Sequence, residues 1–232
     1  PLRPETLGEL IAACQGCHDA AIYYRAPFIS GKDSLNNEYL GSDGQRHAIL
    51  PTLLISSLGI LSDIQHTTSL DLKIPGSSLY RIGDFRPRYG GSALLEHTAP
   101  PPSADCTVPD LPALAPQVYS GLHQAIRAGW VLACHDLSEG GLAVAAAEMC
   151  MAGRLGLRIT WPDHPLHLFA ETNGCLLVEV PANRCSDFET LFTNLPIQHL
   201  GQVTDEPILS FPGVFEESVE GLLQSWTGEN CA

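Results

Sequence analysis

Two short stretches carry side chains suited to holding a phosphorylated ligand. Ser30-Gly31-Lys32-Asp33-Ser34 closes a short apolar segment that runs from Pro27 to Ser30. Glycine lets backbone N–H groups approach an anion closely, and a lysine ammonium adds a point charge suited to phosphate. The Walker A pattern is not met: Ala26 stands where its first glycine is required, and Asp33 where Ser or Thr must follow the lysine. Two readings stay open, a plain turn at a strand end or a loop in which Lys32 and Asp33 serve a nucleotide phosphate and its metal.

The second stretch is His135-Asp136-Leu137-Ser138-Glu139-Gly140-Gly141, between an expected strand and an expected helix. Helix capping accounts for part of it, with Asp136 as N-cap and Glu139 three residues later. It leaves Gly140 and Gly141 without a purpose, since each glycine in a helix costs ~1 kcal/mol relative to Ala. They are tolerable where a ligand must approach the positive end of the helix. On that reading Asp136 is a metal ligand and Ser138 a hydroxyl donor.

Other clusters are weaker. Glu171-Thr172-Asn173-Gly174 reads as a turn entering the strand CLLVEV, or as polar lining of a cleft. Cys14-Gln15-Gly16-Cys17-His18 spells the c-type haem attachment pattern. Without a second cysteine pair or an export signal, both thiols are expected to be packing residues on an amphipathic helix, not haem, zinc or redox sites. His164 and His167 sit in a proline-broken loop without an obvious third ligand. Arg81, Arg86 and Arg88 suit a phosphate, a subunit contact or surface salt bridges.

Composition limits the functions available. The 232 residues hold 12 basic and 26 acidic side chains, a formal net charge of −14. That balance excludes a generic nucleic-acid binder, which needs a basic face. At 44% hydrophobic the chain can build a core and is not disordered. The longest apolar stretch, Ala48 to Leu61, is broken by Pro51 and Gly59 and is too short to span a bilayer. With no signal-peptide pattern at the N-terminus, the eight scattered cysteines are expected to be reduced thiols of a cytoplasmic protein. A start at Pro1 suits a processed chain or an excised piece.

The elements that must position these residues are α/β to α+β in class. Six prolines in the 19 residues from Thr98 to Pro116 mark an extended connector. Division there gives residues 1–97, with 8 basic and 10 acidic side chains, a linker over 98–116, and a strongly acidic unit over 117–232. The first unit is expected to hold a helix over residues 7–22, a strand at 27–30, a β-rich region at 52–60, 69–74 and 79–82, and a short helix after Gly90-Gly91-Ser92. In the second unit, helices are expected at 117–128, 142–153, 182–194 and 214–226, with Gly153 as a helix stop. Strands fall at 130–135, 155–160, 175–180, 198–203 and 208–211.

At GKDSLNNEY and HDLSEGGLAVAAAEMCMAG the sequence resembles the C-terminal half of phosphoribosylformylglycinamidine synthase, in the aminoimidazole ribonucleotide synthetase-like superfamily. The segments ILPTLLISSLGIL, DLKIPGSSLYRIG, GGS, FAETNGCLLVEV and LGQVTD follow in the family's order, so the resemblance covers nearly the whole chain. It implies a truncated PurM-like N-terminal domain followed by a PurM-like C-terminal α+β domain. It implies an ATP-dependent ligase acting with Mg2+ on formylglycinamide ribonucleotide, through an iminophosphate that ammonia displaces. Gly31, Lys32, Asp33, Asp136 and Ser138 would bind ATP, Asp136 would also bind the metal, and Ser34 would face the substrate. Lys32 departs from the family's asparagine and cannot ligate a cation, so it is assigned to phosphate. No catalytic residue is expected here, because the family's catalytic histidine belongs to the first half. That first half, and a glutaminase subunit or domain supplying ammonia, are the implied partners. No nucleic acid or membrane is. The alternatives are an auxiliary, structural nucleotide site and another ATP-using enzyme of the superfamily.

Overall fold

The computed structural model describes residues 4–34, 37–99 and 104–228. The chain forms two compact units, residues 1–62 and 63–232.

In the N-terminal unit the expected helix forms as α1 (Pro4–Tyr24), ending before Pro27. It is followed by a hairpin of β1 (Glu38–Leu40) and β2 (Arg46–Ala48), paired antiparallel with Tyr39 opposite His47. Two expectations fail here. Residues 27–30 and 52–60 form no strand, because apolar content makes a strand only where a neighbour takes the backbone N–H and C=O groups. Helix α1 buries none of its residues. Cys14 is exposed and Cys17 half-buried, so neither is a core packing residue within the unit.

The C-terminal unit is built on a seven-stranded sheet in the order β4-β6-β3-β7-β5-β8-β9. Its strands are β3 (Ser78–Ile82), β4 (Ala133–Asp136), β5 (Gly156–Ile159), β6 (Leu176–Val180), β7 (Ile197–Thr204), β8 (Ile208–Phe211) and β9 (Phe215–Ser218). All neighbours are antiparallel except β5 and β8. Alternation along the strands sends side chains to two cores. Leu79, Leu157, Leu177 and Leu209 pack with Leu142 and Met149 of α4 (Gly141–Gly153) and Val219 of α6 (Val219–Thr227). Tyr80, Ile82, Val178 and Val180 pack with Val118 and Leu122 of α3 (Ala115–Arg127) and Phe188 of α5 (Cys185–Leu191). A further short helix, α2 (Ala93–His97), follows Gly91 and Ser92.

β3 precedes the proline-rich stretch yet lies between β6 and β7. The division between compact units therefore falls at Ser62, upstream of the connector. The connector is itself held: Tyr89 and Gly90 donate backbone hydrogen bonds to Asp105 and Thr107, and Arg88 reaches Asp110 at 2.7 Å. A Cβ at Gly90 would lie 2.5 Å from the Thr107 backbone, so glycine permits the approach.

Three local expectations change, the first being that residues 69–74 form no strand and Ser69 makes only an isolated bridge to Ala133. α6 begins only at Val219, because residues 215–218 form β9 and turn back on β8 through Gly213 at φ 81°. α4 reaches Gly153, but the left-handed residue after it is Arg154. Gly153 instead admits the backbone of Leu72, whose N would sit 2.6 Å from an added Cβ.

Candidate functional site

The expected site residues fall in two loops, one in each unit. Gly31, Lys32, Asp33 and Ser34 follow α1 in a segment without regular structure, and all four are exposed. Lys32 Nζ folds back to donate to the Asp33 carbonyl and the Ser34 hydroxyl. The loop, α1 and residues 48–54 line an open cleft of 480 Å³. Its walls are apolar at Leu7, Leu10 and Leu53, and polar at Lys32, Asp33 and Glu38.

In the other unit, β4 carries His135 and Asp136 to its end, and Ser138 follows in the loop to α4. The capping reading of Asp136 does not hold. The N-cap of α4 is Gly140, four residues further on, in the left-handed region at φ 75°. Asp136 is a strand-end residue with a side chain 65% exposed. Partial burial raises its carboxyl, but hydrogen bonds from its own backbone N–H, the His135 ring and the Ser138 hydroxyl outweigh this and hold it below the usual carboxylate range.

The glycines have a different explanation from the one their sequence position invites. Gly140 and Gly141 both have positive φ, 75° and 65°. A Cβ on Gly141 would lie 2.7 Å from the Ala170 carbonyl oxygen, and one on Gly140 2.2 Å from Val144 Cγ2. What approaches the helix start is the protein's own segment at residues 168–170. The N–H of Gly140 donates to Glu171 Oε1 at 3.0 Å, and the same oxygen accepts from Ala93 N–H at 2.8 Å. Glu171 thus caps the starts of α4 and α2 together. Thr172 is buried, and Asn173 is exposed beside a 50 Å³ cavity lined also by Asp84, Arg86, Arg88 and Asp110.

The three arginines do not form one basic patch. Arg86 pairs with Asp84 at 2.7 Å and Arg88 with Asp110, while Arg81 lies 4.1 Å over the Phe85 ring. His164 is occupied too, its Nδ1 accepting from Leu166 N–H at 3.2 Å. One functional-looking residue escaped the sequence reading. Glu179, fully buried, accepts from Lys73 N–H, Ile74 N–H and the Ser77 hydroxyl, and so fixes the turn that leads into β3. Its signal was an acid inside the apolar run CLLVEV, which requires buried donors.

Among the described residues no group of three His, Cys, Asp or Glu side chains could hold a metal. An ionised, exposed aspartate beside a serine hydroxyl instead fits a hard cation such as Mg2+, which keeps waters and takes phosphate oxygens from its substrate. Half-buried Cys134 and buried Cys150 and Cys175 are unsuited to nucleophilic chemistry at neutral pH, because burial pushes their thiols up to about 12.

Fold and loops together define an α/β domain whose polar strand-end loop meets a glycine-started helix. Residues 75–212 match the AIR synthase related protein, C-terminal domain, and the chain belongs to that family. Among curated relatives, the phosphoribosylformylglycinamidine synthase subunit PurL of Gloeobacter violaceus is 37% identical over 184 residues, 78% of this chain and 24% of that protein. The chain thus spans about a quarter of the length of such relatives. Thermotoga maritima PurL complexed with FGAR shares the fold at a TM-score of 0.57 and 16% identity, over 68% of this chain and 30% of that one. The same protein complexed with ATP aligns at 0.52 and 18%, over 68% and 27%.

Proposed function

We propose that this chain is the C-terminal portion of a phosphoribosylformylglycinamidine synthase and contributes an ATP- and Mg2+-binding half to that ligase. The observation that carries the reading is Asp136: an ionised, exposed carboxylate at a strand end, free of the capping duty its sequence position suggested. Family membership supports it, as do the curated relative named as this synthase's subunit PurL and the Thermotoga maritima PurL structures complexed with ATP and with FGAR.

In this reading residues 1–62 are the remainder of an N-terminal PurM-like domain. Gly31, Lys32 and Asp33 border the nucleotide phosphates there, and Ser34 faces the substrate. Lys32 must leave its present contacts with Asp33 and Ser34 to meet phosphate, a rotation that an exposed side chain makes at little cost. In the C-terminal unit, Asp136 and Ser138 offer the ligase a carboxylate for Mg2+ and a hydroxyl donor. Bound Mg2+ would neutralise charge developing on the transferred phosphoryl group. ATP phosphorylates the amide oxygen of formylglycinamide ribonucleotide, and ammonia displaces phosphate from the iminophosphate to give the amidine. Ammonia comes from a glutaminase subunit or domain, and the catalytic histidine from the synthetase's first half. The setting is the cytoplasm, in purine biosynthesis.

The test is an assay of the 232-residue chain with ATP, ammonia and formylglycinamide ribonucleotide. No amidine is expected from the chain alone, and turnover by it would contradict the assignment of catalysis to the first half. A second reading, an auxiliary site that holds nucleotide permanently, predicts co-purifying nucleotide that does not exchange during turnover.

A further inference from the structure

His135 stands between two carboxylates. Its Nε2 lies 2.7 Å from Glu148 Oε2, and its Nδ1 lies 3.2 Å from Asp136 Oδ1. The ring is nearly covered, at 13% exposure, whereas Glu148 is 30% and Asp136 65% exposed. A relay of contacts therefore runs from helix α4, through an enclosed imidazole, to a carboxylate open to solvent.

Glu148 is out of place on its helix by packing criteria. Its neighbours Ala145, Ala146, Ala147, Met149 and Cys150 are all buried, and a carboxylate in such company needs a specific partner. That partner is His135, 13 residues earlier on β4. Swinging the ring about its Cβ–Cγ bond would give up one carboxylate or both, so the two contacts fix its orientation. The ring in turn tethers one oxygen of Asp136, a side chain that a strand end would otherwise leave free to sample rotamers.

We infer that Glu148 is a positioning residue: acting through His135, it holds Asp136 in the orientation that receives a Mg2+–nucleotide. The inference rests on the proposed role of Asp136. Partners behind a metal ligand orient it, and their loss typically lowers metal affinity ~10- to 100-fold.

The experiment titrates Mn2+, as the paramagnetic stand-in for Mg2+, into the full chain with ADP, reading free Mn2+ by electron paramagnetic resonance. ADP affinity without metal and the melting temperature are followed in parallel. Glu148→Ala is expected to weaken Mn2+–ADP binding ~10-fold and leave metal-free ADP affinity unchanged. Glu148→Gln, which keeps an acceptor oxygen at the same place, is expected to recover most of that loss. A merely structural glutamate would lower the melting temperature without this metal-specific effect. Should Glu148→Ala fail to fold, His135→Asn decides, since asparagine cannot span both carboxylates and is expected to give the same ~10-fold loss. Weakened binding in Asp136→Asn with normal binding in the Glu148 and His135 variants overturns the inference and leaves the role of Asp136 standing. Normal binding in Asp136→Asn, or no Mn2+-dependent ADP binding by the parent chain, overturns both.

Discussion

Glu171 Oε1 accepts a hydrogen bond from the backbone N–H of Gly140 at 3.0 Å, 31 residues earlier in the chain. A carboxylate from the far side of the loop therefore occupies the helix start that the sequence seemed to reserve for a ligand. The same oxygen holds Ala93 N–H at 2.8 Å, so Glu171 ties the Gly91-Ser92 turn to the Gly140-Gly141 turn.

Removing that tie strands two backbone donors. Glu171→Ala is expected to cost ~1.5–3 kcal/mol, the range for hydrogen bonds to a charged group, and Glu171→Gln less because an acceptor remains. Urea unfolding of the two variants measures both values, and equal stability would show that the contact is dispensable.

Glycines 141 and 31 separate packing from ligand approach. Gly141→Ala combines positive φ with a Cβ 2.7 Å from the Ala170 carbonyl oxygen, and is expected to cost more than ~1 kcal/mol. Gly31→Ala meets no heavy atom within 4 Å. It is expected to leave stability within ~0.5 kcal/mol while weakening nucleotide binding, because a Cβ would stand in the path of the phosphate in the proposed site. Paired denaturation and nucleotide-affinity measurements check both, and unchanged affinity in Gly31→Ala would remove that loop from the site.

Asp136→Asn distinguishes charge from architecture. Since α4 is capped at Gly140, neither asparagine nor alanine at 136 is expected to shift stability by the ~1 kcal/mol of a lost cap. Asparagine is expected to reduce Mg2+-dependent nucleotide affinity, measured by calorimetry with and without the metal. A lower melting temperature for Asp136→Ala than for Asp136→Asn would restore the capping role.

Sequence periodicity made most of the C-terminal unit legible, for a physical reason. Its strands alternate between two real cores, so the pattern in LLVEV or SLYRI reports actual burial. The pattern misled where, among the described residues, no second layer packs. Residues 52–60 have strand-like composition but no pairing partner among the described residues, and α1 has apolar spacing but buries no residue. It also misled where one residue type serves two ends. Glu216 and Glu217 read as helix formers, yet β9 turns back on β8 and Glu216 takes a hydrogen bond from Ser210. At the candidate site Asp136 and Ser138 were legible as a pair. The true cap, Glu171, was not, because a 31-residue contact has no local signature.

Alkaline pH provides a test of the core. The thiols of Cys134, Cys150 and Cys175 are raised to about 12 from an unfolded value of 9.0. A raised thiol contributes fully below the unfolded value and loses that contribution as pH climbs toward the folded one. The melting temperature is expected to fall from about pH 9 upward, less steeply in Cys150→Ala. Thiol reagents at neutral pH are expected to modify exposed Cys14 and Cys106 first. Early labelling of Cys150 would contradict the buried assignment.

This chain is expected to perform the part of the synthase to which it aligns. The most direct measurement exchanges it for the matching segment of the Gloeobacter violaceus PurL subunit and follows amidine formation from formylglycinamide ribonucleotide, ATP and ammonia. ATP-dependent turnover by the chimera is expected, with its loss on Asp136→Asn at limiting Mg2+. A folded chimera with no turnover, or one whose Asp136→Asn form responds to Mg2+ as the parent does, would contradict that expectation.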